Sequence, residues 1–181
     1  MAKGAIFLDR DGTLNYDRGY THKISDWQWL PGALEAIAAF KRAGWPIVVV
    51  SNQSGIARGL YTRAQLAELE TWVNSDLAAR GLQITGWRYC PHGPNDHCDC
   101  RKPKPGLILK ACADFDLDAS LSWMIGDRLS DIKAGCASGC NCGMVLNPAY
   151  ADEVATALQL WPGLVVGRNL QEVAAKIMGT A

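Results

Sequence analysis

Residues 5–8 read Ala-Ile-Phe-Leu and residues 47–50 read Ile-Val-Val-Val, two short aliphatic runs in which no polar residue alternates with the apolar ones. A strand with one face in water would alternate, so runs of this kind imply strands covered on both faces. Only helices packed above and below a parallel sheet give that cover. Each run also stops abruptly in polar residues, Asp9-Arg10-Asp11-Gly12 after the first and Ser51-Asn52-Gln53-Ser54-Gly55 after the second. The feature therefore sets both the fold class and the place to look for chemistry.

The segments between the runs carry helical periodicity. Pro31-Gly32 opens a pattern with Leu34, Ile37 and Ala38 that closes near Gly44. Thr62 and Gln65 have the spacing of a capping box, and the helix they start places Leu66, Leu69, Val73 and Leu77 on one face before Gly81. Residues 84–89 form the next predicted strand, 105–115 a helix, 121–125 a strand ending in Gly126-Asp127, and a short helix runs on to 137. Weaker strands are expected at 143–146 and 164–166, and Leu170, Val173, Ala174 and Ile177 mark a terminal amphipathic helix. This rhythm is a doubly wound α/β sheet, mainly parallel, in one domain spanning residues 1–181. No segment is long enough for a separate cap domain.

Composition removes several function classes. Eighteen basic and eighteen acidic residues cancel, which leaves no global attraction to nucleic acid or an anionic membrane. No apolar run reaches the length of a membrane span, and "AIFLD" follows the start with no signal-peptide pattern, so a soluble cytoplasmic protein is expected. Without a long heptad or a broad apolar helix, the expected state is a monomer.

In open α/β sheets ligands sit outside the carboxyl ends of the strands. Asp9 and Asp11 stand two apart at the first such end, with Gly12 allowing a tight turn. Adjacent carboxylates repel unless a proton or a cation separates them, and a hard cation such as Mg2+ suits an oxygen-rich site. DxDG alone is also a common turn. Ser51 and its neighbouring N–H groups could hold phosphoryl oxygens, although Ser, Asn and Gly are ordinary loop residues. Asp127 is a plausible third oxygen ligand, while Asp131 suits either a helix cap or support for the metal site. Lys102 and Lys104 both precede prolines, and on spacing alone either reaches a phosphate.

The stretch "CPHGPNDHCDCRKPKPG" at 90–106 supplies Cys90, His92, Cys98 and Cys100, a Cys3His set that fits a structural zinc rather than a catalytic one with an open position. Its C-x-H and C-x-C spacings are tighter than the usual C-x2-C. His97 competes with His92 and is placed below it, in solvent. Idle exposed thiols would oxidise, which disfavours the bland reading. A nucleic-acid finger is set aside because Pro103 and Pro105 break any helix after the last ligand. Zinc closure would remove the ordering cost of a long loop and set the position of Arg101 and Lys102 directly after it. Cys112 and Cys136 are expected to be buried on helices, and Cys140-x-Cys142 lacks a second pair of soft ligands.

The set "FLDRDGTL", "VVVSNQSGIARG", "CDCRKPKPG" and "MIGDRLSD", in this order, resembles the haloacid dehalogenase superfamily of phosphohydrolases. Within it the resemblance is strongest to the heptose 1,7-bisphosphate 7-phosphatases, with histidinol-phosphate phosphatases next, and covers about residues 4–150. The resemblance implies Asp9 as nucleophile through an aspartyl-phosphate, and Asp11 as general acid and then base. It implies Mg2+ on the side chains of Asp9 and Asp127 and the backbone carbonyl of Asp11, and Zn2+ on the cysteine–histidine loop. Ser51 and Lys102, chosen over Lys104 by "CRKP", would hold the transferring phosphoryl group, leaving Lys104 as a solvated surface charge. Asp17, Arg18, Gly19, Tyr20, Asn52, Gln53, Ser54, Arg101 and Arg128 would contact a small phosphorylated sugar. The implied place of the reaction is ADP-heptose supply for lipopolysaccharide. A non-catalytic phosphoryl-accepting or zinc-scaffold module is the reading from another class.

Overall fold

The computed structural model describes residues 3–179. Its centre is a six-stranded, wholly parallel sheet in the order β3-β2-β1-β4-β5-β6. The strands are β1 (Ile6–Leu8), β2 (Ile47–Asn52), β3 (Gly86–Cys90), β4 (Trp123–Gly126), β5 (Asn141–Val145) and β6 (Val165–Gly167). The helices are α1 (Ala33–Arg42), α2 (Arg63–Ala79), α3 (Gly106–Phe115), α4 (Leu129–Ser138), α5 (Ala151–Leu160) and α6 (Leu170–Ile177). Among the described residues there is no inserted cap, and no helix is long and apolar enough to cross a membrane.

The two aliphatic runs behave as their composition demands. Ile6, Leu8 and Val49 pack into one core with Ile37 and Phe40 of α1, Leu69, Val73 and Leu77 of α2, and Val173 of α6. Phe7, Val48 and Val50, pointing the other way, pack with Ile108 and Ala111 of α3, Met124 of β4 and Ala134 of α4. Successive residues serve opposite cores, so every position must be apolar. A third cluster, around Ile132, Cys142, Met144 and Val154, seats α5.

The Thr62 capping box forms: the Gln65 N–H donates to Thr62 Oγ1 at 3.2 Å and the Thr62 N–H to Gln65 Oε1 at 2.9 Å. The buried face of α2 is the predicted one, Leu66, Leu69, Val73 and Leu77. Other boundaries move. The strand expected at 84–89 starts at Gly86 and reaches Cys90, because it pairs with β2 up to Asn52. The strand expected from 121 starts at Trp123, since residues 119–121 form a 3-10 turn capped by Asp118. β5 begins at Asn141, which takes Cys142 into the sheet. Cys112 and Cys136 lie on α3 and α4 but are only partly covered, whereas Cys140 and Cys142 are the buried pair. Helix α5 has no counterpart in the sequence reading.

The order 3-2-1-4-5-6 reverses between β1 and β4, where the chain runs outward in opposite directions from neighbouring strands. That is the switch point at which a crevice opens. Leu8 pairs with Ile125 there, so the residues that follow both strands meet.

Candidate active site

Asp9 and Asp127 leave those adjacent strand ends, and the Asp9 N–H donates to Ile125 O at 2.9 Å. Gly12 turns the chain at φ +81°, and a Cβ there would lie 2.2 Å from Asp127 Oδ2. The turn after β1 therefore closes over Asp127 only because residue 12 has no side chain. Across the crevice, Lys102 Nζ lies 2.7 Å from Asp9 Oδ1 and 2.6 Å from Asp131 Oδ1, and donates to Val50 O at 2.8 Å.

Carboxylate oxygens of Asp9, Asp127 and Asp131 come within 4.8 Å of one another, all three residues buried. One ammonium against three carboxylates leaves two negative charges uncompensated when all are ionised. The titration of the group reflects this. Burial, with repulsion from Asp131 and Asp11, outweighs Lys102 and raises Asp9 to about 7. Burial together with Asp9 and Asp131 raises Asp127 to about 8 against the Asn147 hydrogen bond and Lys102. Burial opposes the charge on Lys102, yet Asp131 and Asp9 hold its pKa above the ordinary lysine value. Asp127 Oδ1 is buried with no hydrogen-bond partner, while Oδ2 accepts from Asn147 Nδ2 at 2.7 Å. An orphaned carboxylate oxygen in an all-oxygen, doubly anionic cluster fits Mg2+.

Asp131 takes the cap role and also pairs with the buried lysine. Its Oδ2 accepts the Arg128 N–H at 3.0 Å at the start of α4, and its Oδ1 faces Lys102. The Asp11 carboxylate lies outside the acid group. Arg10, itself 1% exposed, grips it through Nη2 at 2.8 Å and Nε at 3.1 Å. Asn15 Nδ2 and Gln53 Nε2 each donate to it at 3.0 Å.

The four polar residues at the end of β2 and directly after it divide. Ser51 and Ser54 line the cavity. Asn52, besides lining it, pairs with the backbone of Lys102, donating to its carbonyl at 3.0 Å and accepting its N–H at 3.1 Å. Gln53 is 2% exposed and is bonded to Ser51, Asp11 and Tyr61.

Beside Asn52, β3 delivers Cys90 into the cysteine–histidine loop. Cys90 Sγ lies 3.2 Å from Cys100 Sγ, 3.7 Å from Cys98 Sγ and 3.6 Å from His92 Nδ1, and His92 Nδ1 is 3.3 Å from Cys100 Sγ. A tetrahedral zinc with bonds of about 2.3 Å to sulfur sets its ligand atoms about 3.8 Å apart, so the four donors are already gathered at nearly that size. They fit Zn2+. His97 is exposed and stays outside the set, and among the described residues Cys140 and Cys142 join no metal-sized group. Arg101 Nη1 donates to His92 O at 3.1 Å. Lys104 is an exposed charge, as expected, and its Nζ donates to Cys98 O at 2.7 Å and pairs with Asp99 at 3.3 Å, which ties it to the loop.

The far wall comes from residues the sequence reading did not single out. Glu153 of α5 accepts from Arg128 Nη2 at 2.7 Å and from the Leu129 N–H at 2.6 Å, and the Tyr150 ring centroid lies 3.5 Å from the guanidinium carbon. Asp17, Gly19 and Tyr20 reach the cavity, whereas Arg18 does not line it and donates instead to Gln28 Oε1 at 2.8 Å. Arg10 carried a signal, a cation between two acids. Tyr61, Asn147, Tyr150 and Glu153 carried none, since each acts only through a distant partner. The crevice as a whole encloses about 870 Å3 and is lined by Asp9, Asp11, Ser51, Arg101, Lys102, Asp127 and Arg128 among others.

Comparison with known proteins agrees with this geometry. The HAD-hydrolase-like family model matches residues 99–173. The D-glycero-beta-D-manno-heptose-1,7-bisphosphate 7-phosphatase of Photorhabdus laumondii is 46% identical over 137 residues, covering 72% of this chain and 73% of the relative. The protein of the same name from Escherichia coli K12 is 45% identical over 147 residues, 76% of this chain and 77% of the relative. Among solved structures, the D,D-heptose 1,7-bisphosphate phosphatase of B. bronchiseptica, complexed with magnesium and phosphate, superposes with a TM-score of 0.89 at 35% identity over 98% of this chain and 99% of that one.

Proposed function

This chain belongs to the heptose 1,7-bisphosphate phosphatases of the HAD-like hydrolases, and on that premise we propose that it removes the 7-phosphate of D-glycero-D-manno-heptose 1,7-bisphosphate in lipopolysaccharide precursor synthesis. The observation that carries the reading is the buried Asp9–Lys102–Asp131 array beside Asp127 at the switch point of the sheet. The relatives' names specify the β anomer, and we assign the same anomer here.

In this mechanism Asp9 Oδ attacks phosphorus. The phosphorus–oxygen bond to C7 breaks as Asp11 delivers a proton to the leaving alkoxide, and Asp9 carries the phosphoryl group. Asp11 then takes a proton from water, whose oxygen attacks phosphorus, and the Asp9–phosphorus bond breaks to release inorganic phosphate. Lys102 and Ser51 hold the phosphoryl oxygens; Arg101 and Arg128 face the rest of the sugar phosphate. Mg2+, held by Asp9 and Asp127 with the Asp11 carbonyl, supplies charge neutralisation when bound. Zn2+ would sit on Cys90, His92, Cys98 and Cys100, where it closes the loop ahead of Arg101 and Lys102. The whole chain is read as one catalytic domain, monomeric and cytoplasmic.

Hydrolysis of heptose 1,7-bisphosphate and of histidinol phosphate, compared at equal enzyme with Mg2+, tests the assignment. The bisphosphate is expected to give the higher kcat/KM, and Asp9→Asn to abolish turnover. Preference for histidinol phosphate would move the chain to that branch, and turnover that survives Asp9→Asn would end the nucleophile assignment.

A further inference from the structure

Tyr61 is 4% exposed and lies just ahead of α2, with no place in the reaction described above. Its ring fills the space over Gly55, where a Cβ would stand 2.1 Å from Tyr61 Cε1, and its other side stacks on His22 at 4.7 Å. Only glycine at 55 lets the ring in. The ring is thus fixed, and its hydroxyl meets Gln53 Oε1 at 2.5 Å.

The polarity of that contact can be assigned from what lies beyond it. Gln53 Nε2 is 3.0 Å from Asp11 Oδ2 and 2.9 Å from Ser51 Oγ. A carboxylate only accepts, so the NH2 end of the amide must face Asp11 and the carbonyl end must face Tyr61. Tyr61 therefore donates. Burial pushes its pKa up to about 12, which keeps the proton on the hydroxyl. Ser51 Oγ, accepting from Gln53, donates to no group among the described residues, which leaves its proton for whatever occupies the cavity it lines.

We propose that Tyr61 is a positioning residue: by donating to Gln53 Oε1 it locks the amide so that Gln53 donates to both Ser51 and Asp11, and Ser51 in turn offers its O–H to the transferring phosphoryl oxygen. This rests on the reading of Ser51 as a phosphoryl ligand. Hydrogen bonds aligned head to tail polarise one another, so the alignment strengthens the last donor in the chain. Without the Tyr61 hydroxyl the buried Gln53 carbonyl loses its donor, and only the Asp11 carboxylate still orients the amide. The amide can then shift toward Asp11, and its donation to Ser51, with the alignment of the Ser51 O–H, is weakened.

The test is a double-mutant cycle of Tyr61→Phe and Gln53→Met, read by kcat/KM on both heptose 1,7-bisphosphate and p-nitrophenyl phosphate, by inhibition with inorganic phosphate, and by thermal unfolding. Tyr61→Phe is expected to lower kcat/KM about tenfold on both substrates, the size of one misdirected buried hydrogen bond, and to weaken phosphate inhibition severalfold. In the Gln53→Met background it should cost less than twofold. Equal factors in both backgrounds, or a fall in melting temperature with kcat/KM unchanged, would overturn the proposal. Gln53→Glu gives a second approach that spares Tyr61: an ionised carboxylate cannot donate, so a larger loss than in Tyr61→Phe is expected, and wild-type kinetics would also overturn the lock. Wild-type preference for the bisphosphate reports on the proposed substrate alone, while the variant ratios on p-nitrophenyl phosphate report on the lock whatever the natural substrate.

Discussion

Lys102 and Asp131 form an ion pair at 2.6 Å with both side chains at most 2% exposed, although the two residues arrive from opposite sides of the switch point. The same ammonium reaches Asp9 at 2.7 Å. Lysine this deeply buried is tolerated because two carboxylates face it, and the carboxylates are tolerated because it is there. Removing one member of such a group strands the rest, at a cost of about 3–5 kcal/mol for a buried pair.

Lys102→Met is therefore expected to do more than weaken substrate binding. With Asp9, Asp127 and Asp131 left without a cation, kcat should fall by about a hundredfold or more, and the protein should melt several degrees lower in Mg2+-free buffer. Saturating Mg2+ should restore part of the melting temperature but little of kcat, because the metal offsets the charge without replacing the ammonium at Asp9. Steady-state kinetics and thermal scans with and without Mg2+ separate the two effects.

The acid group also gives a pH dependence with a definite sign. Asp9 at about 7 and Asp127 at about 8 are raised above their unfolded value, so the native state holds protons that the unfolded chain has already released. Their contribution is fully present below about pH 4 and is lost as pH rises through 7 and 8. The Mg2+-free protein should accordingly lose melting temperature between pH 5 and pH 8, beyond what its other groups cause. Mg2+ binds the ionised form, so the stabilisation it adds should be larger at pH 8 than at pH 6. Equal Mg2+ shifts at the two pH values would contradict the raised pKa values.

The loop after β3 predicts a different response. Cys98→Ser or Cys100→Ser removes one of four gathered donors, and bound zinc should fall well below one per chain by elemental analysis. Arg101 is bonded to His92 O and Lys104 to Cys98 O, so loosening the loop should disturb the cationic edge of the cavity directly. The expected signature is a KM raised several-fold with a smaller fall in kcat, and Mg2+ dependence unchanged. Unchanged kinetics in a variant verified to be zinc-free would remove the loop's positioning role.

What the sequence disclosed follows from how local each signal is. Strands buried on both faces leave unbroken aliphatic runs, so β1 and β2 were legible, and the α2 face and its capping box follow from spacing alone. Asp9, Asp127 and the Cys3His loop were legible because each sits at a strand end within a short motif. Contacts that join distant segments were not. Asn52 lines the cavity and also braces the Lys102 backbone, fifty residues on, a second role that no local pattern marks. Arg18 carries the right charge but turns to Gln28, a partner that no local pattern identifies. Beyond residue 150 the periodicity is weak, and nothing in it marks Glu153 as the partner of Arg128.

That partnership supports the last prediction. Glu153 holds the Arg128 guanidinium and at the same time accepts the Leu129 N–H, one of the unpaired donors in the first turn of α4. Glu153→Gln keeps an oxygen for Leu129 but loses the charge that holds Arg128, whereas Glu153→Ala loses both. If Arg128 meets the sugar phosphate, Glu153→Gln should raise KM about three- to tenfold with kcat and melting temperature nearly unchanged. Glu153→Ala should add a loss of about 1 kcal/mol in stability, the usual worth of a helix N-terminal acceptor. The comparison of the two separates the arginine from the helix: equal melting temperatures would show that Leu129 does not depend on Glu153, and equal wild-type KM values would show that Arg128 keeps its place on the Tyr150 ring alone.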